Sequence, residues 1–199
     1  MATVAPPVAP AIPLYRLTVD QFAKMIDAGV FADGARVELL GGLLVEKMTT
    51  NDPHDYAIGT LDDLTRPMLP AGWITREQQS LKLGRFWRPE PDFVIVRGFR
   101  KDYLSRTPRP ADLALLVEVA DSSYAKDRGP KWRGYAAARV APYWIANFPK
   151  RRLEIYDAPA GRGNSARYES CQVFGQDAEV PVRIEGREVG RIAVRELLP

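Results

Sequence analysis

The feature that most constrains the fold is an apolar run at residues 113–117 (LALLV), which leads directly into an acid, Glu118. A continuous run of this kind is typical of a strand that is buried on both faces of a sheet. A carboxylate near the end of such a strand costs free energy unless a metal ion, a proton or a partner charge offsets it. The run therefore predicts a central strand with a functional group beside it.

Capping residues and apolar spacing predict the helices. Thr18 and Gln21 have the spacing of a capping box. Asp52 is the predicted cap of a second helix, because Pro53 follows it at the favoured first helical position. The predicted helices cover residues 18–29, 54–69, 124–139 and 192–198.

Short runs rich in β-branched and aromatic residues predict the strands. Gly41-Gly42 suits the tight turn of a hairpin within residues 36–48. Further strands are expected within residues 73–83, 92–97, 113–120, 143–148, 152–156 and 157–190. Because a helix separates the strands at 113–120 and 143–148, these two form a predicted strand–helix–strand crossover. The pattern predicts an α/β fold with a mixed central sheet flanked by helices.

Length and composition indicate one domain. The chain has 199 residues, 46% of them hydrophobic, so residues 14–199 should form a single core after a flexible, proline-rich tail at residues 1–13. No apolar run approaches the ~20 residues of a membrane helix, and the N-terminal residues lack the basic region of a signal peptide, so a cytoplasmic location is expected. A net charge of +3 permits nucleic acid as a partner without requiring it.

Three carboxylates fall within or at the start of predicted apolar strands: Glu38, Asp92 and Glu118. Neighbouring strands lie ~4.8 Å apart, so Asp92 and Glu118 can converge if their strands are adjacent. Oxygen ligands of this kind suit Mg²⁺ or Mn²⁺. A zinc site would be hard to assemble, because the chain contains one cysteine and one histidine, His54.

Lys131 lies on the next predicted helix, four residues after Asp127, so the two side chains share a helix face. A lysine beside a metal-bound carboxylate cluster fits phosphodiester hydrolysis, since its ammonium can orient water or stabilise charge on the phosphate.

Other interpretations of these acids and of Lys131 stay open. Asp92 could simply begin a strand, and Glu38 could face solvent on an edge strand. Glu118 could pair with Arg128 or Arg133, and Asp127 and Lys131 could form a surface ion pair.

At this point the residues resemble a known family. The matching segments, in order, are RVELLGG at 36–42, His54, PDFVIV at 91–96, VEVADSS at 117–123, Asp127-x-x-x-Lys131, Tyr135 and PYWI at 142–145. The series is similar to the Uma-type restriction endonuclease family of the PD-(D/E)XK nuclease superfamily. The resemblance implies a restriction-endonuclease-like core with a Mg²⁺ or Mn²⁺ site. Asp92 and Glu118 would be the metal ligands, Glu38 an additional acid of the metal site, and Lys131 the catalytic lysine.

One departure from the superfamily pattern concerns that lysine. The pattern places it two residues after the second acid, where this chain has Ala120. The resemblance implies that Lys131 supplies the charge from the following helix instead, because a long side chain can reach the same point.

The candidates for substrate binding are His54, Arg85, Arg88 and Asp127. His54 could position a phosphate or a water, or could be a helix-start contact. Arg85 and Arg88 flank two aromatics in a basic loop that could grip DNA, although ordinary surface arginines would look the same. We expect a metal-dependent endonuclease that acts on DNA, and family analogy predicts a homodimer. The alternative is a nuclease-like module that binds nucleic acid or protein without cutting it. A third hypothesis is a phosphoesterase that acts on small nucleotides.

Overall fold

The structure is a computed structural model that describes residues 13–47 and 51–199. Its centre is a six-stranded sheet in the order β3-β4-β5-β6-β7-β8, beside two hairpins, β1-β2 and β9-β10. The strands are β1 Val37–Leu40, β2 Leu43–Glu46, β3 Trp73–Glu77, β4 Phe93–Arg97, β5 Leu113–Ala120, β6 Tyr143–Asn147, β7 Arg152–Ala160, β8 Arg167–Gly175, β9 Glu179–Ile184 and β10 Arg187–Ala193. The helices are α1 Val19–Asp27, α2 Asp52–Thr65, α3 Tyr124–Lys126 and α4 Trp132–Ala137, with a π-helical segment at Asp127–Lys131. Short 3₁₀ turns lie at Arg66–Met68, Arg100–Tyr103, Pro110–Asp112, Gly163–Ser165 and Val194–Leu197.

The predicted crossover sets the topology of the sheet. β5 and β6 pair in parallel, and the chain joins them through α3, the π-helical segment and α4. The other pairs of the sheet are antiparallel. The prediction of a mixed α/β sheet flanked by helices is therefore confirmed.

Each face of the sheet carries its own core, because β4 and β5 are buried on both sides. On one face, Val117 and Val119 pack with α2 and the β9-β10 hairpin. On the other face, Leu116 and Ala120 pack with Tyr135 of α4 and a group of further tyrosines. Glu118 alternates with Val117 and Val119, so its side chain lies on the α4 side.

Three local predictions were wrong in detail. The cap of α2 is Asn51, whose side chain accepts the backbone N–H of His54, so the helix includes Asp52 and begins earlier than predicted. The predicted closing helix is only a 3₁₀ turn at Val194–Leu197, because the residues before it still pair with β9.

The helix predicted over residues 124–139 is interrupted by a wider π turn at Asp127–Lys131. Pro130 lies in that turn, and a proline has no N–H to bond the carbonyl four residues earlier.

The predicted tail at residues 1–13 lies, apart from Pro13, outside the described residues. Within the described ranges, none of the helices is long and apolar enough to cross a membrane.

Candidate active site

The pairing of β4 with β5 brings the two predicted metal ligands together. Phe93 is opposite Val117, so Asp92, directly before β4, lies beside the end of β5. Oδ2 of Asp92 accepts the backbone N–H of Val119 at 2.9 Å, one residue from Glu118. Asp92 is buried and therefore not a simple turn residue at the start of a strand.

Lys131 lies at the centre of the acids. Its Nζ is 2.9 Å from Oε1 of Glu118, 3.0 Å from Oε1 of Glu38 and 3.9 Å from Oδ1 of Asp127. The side chain is 1% exposed, which excludes the surface ion pair as its role. Glu118 thus pairs with Lys131 and not with Arg128 or Arg133. The helix after β5 delivers a lysine to the acid of β5, as the resemblance implies.

Glu38 reaches this group from the β1-β2 hairpin. Its Oε1 accepts the backbone N–H of Glu90 at 2.8 Å, and its Oε2 is 3.4 Å from Nζ of Lys126. The side chain is fully buried, which excludes the solvent-facing alternative. Because both oxygens contact donors and Glu38 does not line the cavity described below, it supports Lys131 from behind.

Asp127 has one satisfied and one unsatisfied oxygen. Its Oδ2 accepts the hydroxyl of Ser123, whereas its buried Oδ1 has no hydrogen-bond partner. A buried carboxylate oxygen without a donor costs free energy and attracts a cation. The π turn of Asp127–Lys131 holds this oxygen beside Lys131.

Lys47 is a site residue that sequence reasoning missed. Its Nζ donates to Oδ1 of Asp92 at 2.9 Å and to the carbonyl of Glu90 at 2.8 Å. A lysine that ends a hairpin strand is normally solvated, so no local pattern distinguishes it. Only the contact across 45 positions of the chain reveals it.

His54 completes the environment of Asp92. Its Nε2 is 3.1 Å from Oδ2 of Asp92, and because that carboxylate is ionised, Nε2 carries the hydrogen and donates. The imidazole thus contacts Asp92, and the role of His54 towards a phosphate or a water stays a prediction.

The carboxyl groups differ in protonation. Burial raises the pKa of Asp92, but the hydrogen bond from His54 and the charge of Lys47 outweigh it, so that pKa lies well below its usual range. Burial raises the pKa of Glu118 to about 8, against the opposing charge of Lys131. Burial also raises the pKa of Asp127.

Lys131 keeps its charge. Burial lowers its pKa, yet Glu118 and Glu38 outweigh burial and hold the pKa well above its usual value. Burial likewise raises the pKa of Glu38, but Lys131 and Lys126 bring it below its usual value. The site therefore joins a permanent ammonium to ionised acids and to an acid, Glu118, that holds a proton at neutral pH.

A cavity opens in front of this group. Its lining is largely polar and comprises Lys47, Asn51, His54, Asp92, Glu118, Val119, Asp121, Ser122, Ser123, Lys126, Asp127 and Lys131. Asp92, Glu118 and Lys131 thus face one space. Tyr135 lies below it and donates to Oε1 of Glu118 at 2.5 Å.

The donors fit a hard divalent cation. Among the described residues, no three acids or histidines are arranged to hold a metal by themselves. Mg²⁺ does not need such a set, because it commonly uses one or two carboxylates together with water and substrate phosphate. The unsatisfied oxygen of Asp127 is a free acceptor for a cation, and Glu118 can bind one once it releases its proton.

The structure does not bring Arg85 and Arg88 to this cavity. Arg85 stacks on Phe86, with its guanidinium 5.2 Å from the ring centroid. Arg88 lies over Phe22 of α1 at 5.7 Å, and its backbone pairs with Leu39. Their predicted role in substrate binding stays a prediction.

Comparisons with known proteins concern the family and the fold. The Uma2 family, described as "Putative restriction endonuclease", matches residues 19–193. A similar solved structure is the "Crystal structure of a putative nuclease belonging to DUF820 from Anabaena variabilis ATCC 29413", with a TM-score of 0.61 and 14% identity over 91% of this chain and 97% of that chain. At that identity the likeness shows the fold alone. No match was found among curated proteins. Because the family match extends over most of this chain, the chain belongs to the Uma2 family.

Proposed function

We propose that this protein is a metal-dependent endonuclease that hydrolyses phosphodiester bonds of DNA. The observation that carries the proposal is the meeting of Asp92, Glu118 and Lys131 around one cavity, although they come from three different elements. The family and the name of the solved structure support a nuclease in general. We infer metal dependence and DNA as the substrate from the donors that line the cavity.

Asp92 and Glu118 are the proposed ligands of Mg²⁺ or Mn²⁺. When bound there, the metal would polarise a phosphoryl oxygen and lower the pKa of a water. Asp92 is ready for this role because it is already ionised. Glu118 must first release its proton, since its pKa is about 8.

Lys131 acts on the phosphate. Because its pKa lies well above the usual value, the ammonium is a donor and not a general base. It can stabilise the negative charge that grows on the phosphate as the water oxygen bonds to phosphorus and the bond to the leaving oxygen breaks. Glu38 holds the ammonium in place, and an ionised Asp127 would add a third negative contact.

The neighbouring residues orient Asp92. Lys47 donates to Oδ1, and His54 and the backbone N–H of Val119 both donate to Oδ2. These donors fix the carboxylate in one orientation, as hydrogen bonds around a metal site commonly do. His54 is also close enough to the cavity to contact a phosphate oxygen of the substrate.

A plasmid cleavage assay tests the proposal. Supercoiled DNA incubated with the protein should be nicked or linearised in Mg²⁺ or Mn²⁺, and EDTA should abolish the activity. Asp92→Asn and Glu118→Gln keep the side-chain shape but remove the metal ligands, so both should be inactive. Asp63→Asn, an exposed carboxyl on α2, is the matched control and should be fully active.

Two results distinguish the alternatives. Plasmid binding without cleavage in any divalent metal would favour a binding module with a nuclease-like fold. Cleavage that survives in both Asp92→Asn and Glu118→Gln would contradict the assignment of this cavity.

We further propose a homodimer, because cutting both strands commonly uses two active sites. The mass of the particle in solution, with and without duplex DNA, tests this directly.

A further inference from the structure

Arg128 stands beside the candidate active site in an unusual environment. It directly follows Asp127 in the π turn, and its guanidinium lies 4.5 Å from the ring centroid of Trp132 and 4.9 Å from that of Tyr156. The residue is half-buried. Two aromatic rings thus hold the cationic group in one place, through contacts that favour arginine.

The position of Arg128 follows from the register of the sheet. Glu118 of β5 is opposite Ile145 of β6, which is opposite Glu154 of β7. Tyr156 is two residues further along β7 and shares the face of Glu118. Two strand spacings amount to ~10 Å, so Tyr156 lies at least about that far across the sheet from Glu118. Arg128, which packs on Tyr156, does not line the cavity.

No carboxylate among the residues that the structure describes neutralises the charge of Arg128. Within the described ranges, no carboxylate oxygen lies within 4.0 Å of its nitrogens, and its side chain makes no hydrogen bond. Arg152 gives the contrast, because its Nη2 is 2.7 Å from Oε1 of Glu154. The N–H groups along the edge of Arg128 are therefore free for an acceptor outside the protein.

Hydrogen bonds to Glu154 hold the tyrosines next to Arg128 in place. Glu154 is 1% exposed and accepts hydrogen bonds from the hydroxyls of Tyr156 and Tyr124. Asn147 donates to the same carboxylate at 3.0 Å. These hydrogen bonds hold the ring of Tyr156 against Arg128. They also hold Tyr124, the residue that follows Ser123 of the cavity lining.

We propose that Arg128 binds a backbone phosphate of the substrate strand, outside the cleavage cavity. The ring centroids of Trp132 and Tyr156 lie 6.2 Å apart with the ring planes at 86°, so the rings contact the guanidinium from two adjacent sides. Its remaining N–H groups are left to pair with two phosphate oxygens, the geometry that arginine favours. The inference rests on the proposed function, because the ligand is the DNA strand that the cavity would cut. Arg128 positions the strand and does not touch the reacting atoms.

Salt-dependent DNA binding tests the inference. The affinity of a short fluorescein-labelled duplex is measured by anisotropy in Ca²⁺, at about 50 to 200 mM salt. For Arg128→Gln, the slope of log K against log salt should decrease by about 0.9, with about five- to tenfold weaker binding near 0.1 M salt. Arg128→Lys keeps the charge and should retain the slope.

Arg195→Gln is the charge-matched control. Arg195 is exposed and lies between Val194 and Leu197, which pack on the opposite face of the sheet. This variant should bind DNA as the unaltered protein does. At saturating protein, the single-turnover cleavage rate of Arg128→Gln should stay within about twofold, because only binding is lost. If Arg128 had only a structural role, Arg128→Gln would change the melting temperature and leave the salt slope unchanged.

Two outcomes would overturn the inference. If the protein binds and cuts DNA but Arg128→Gln shows an unchanged slope, the phosphate contact is wrong and the proposed function stands. If the unaltered protein neither binds nor cuts DNA, the proposed function fails and the contact with it.

Discussion

The binding of Mn²⁺ to the candidate site should release a proton and strengthen as the pH rises. Glu118 is a proposed ligand whose pKa is raised to about 8 by burial, with Asp92 and Asp127 adding to the effect. A raised carboxyl pKa means that the metal-free protein holds the proton at neutral pH. The metal needs the ionised form, so proton and metal compete for the same group.

The magnitude follows from the pKa. At pH 7 the protonated form of Glu118 exceeds the ionised form by about ten to one, so releasing the proton costs about 1.4 kcal/mol. The apparent Mn²⁺ affinity should therefore rise by about tenfold per unit between about pH 6 and pH 8 and level off above that range. The pKa of Asp127 is also raised, so its proton can steepen the rise of Mn²⁺ affinity with pH. The pKa of Asp92 is lowered, so Asp92 is already ionised and adds no pH dependence in this range.

Isothermal titration calorimetry measures both quantities. The affinity is determined across this pH range, and proton release is obtained from the dependence of the heat on the buffer. About 0.9 proton per Mn²⁺ is expected from Glu118 at pH 7. Glu118→Gln should lose most of the affinity and the proton release with it, and Asp63→Asn should change neither. Equal affinity at pH 6 and pH 8, without proton release, would refute the reasoning.

Three further predictions concern the structure around the site. Lys131→Met leaves Glu38 buried without its central cation, so the free energy of unfolding in urea should fall by about 3 kcal/mol, and an unchanged value would contradict the buried pair. Tyr135→Phe removes the hydrogen bond to Glu118 and should cost about 1 kcal/mol in the same assay, whereas a stabilised variant would show that the bond contributes nothing. Gly134→Ala would place a Cβ 2.6 Å from Cη2 of Trp87, so a loss of about 1–3 kcal/mol is expected, and an unchanged melting temperature would show that the ring moves freely.

The central strands could be predicted from the sequence because their residues carry a local signal. The apolar run before Glu118 and the acid before β4 identify two strands, and their pairing brings Asp92 and Glu118 together. The spacing of Lys131 from Asp127 made it a candidate, but helical spacing alone allows it to face solvent, and the family resemblance implied its catalytic role.

Other parts of the site depend on contacts that are distant in sequence. Lys47 meets Asp92 only after the β1-β2 hairpin packs beside β4. The π turn was also missed, because Pro130 can end, kink or widen a helix and only packing decides among them. Arg128 was considered as a partner of Glu118, and its stacking on Trp132 and Tyr156 requires β7 in place.

The position of the metal tests the account most directly. A crystal soaked in Mn²⁺ should show an anomalous difference peak in the cavity, within about 2.5 Å of one oxygen of Asp92 and one of Glu118. The Nζ of Lys131 should remain beside Glu38 in the same crystal. An absent peak at saturating Mn²⁺, or a peak held by other residues, would contradict a metal-dependent site at Asp92 and Glu118.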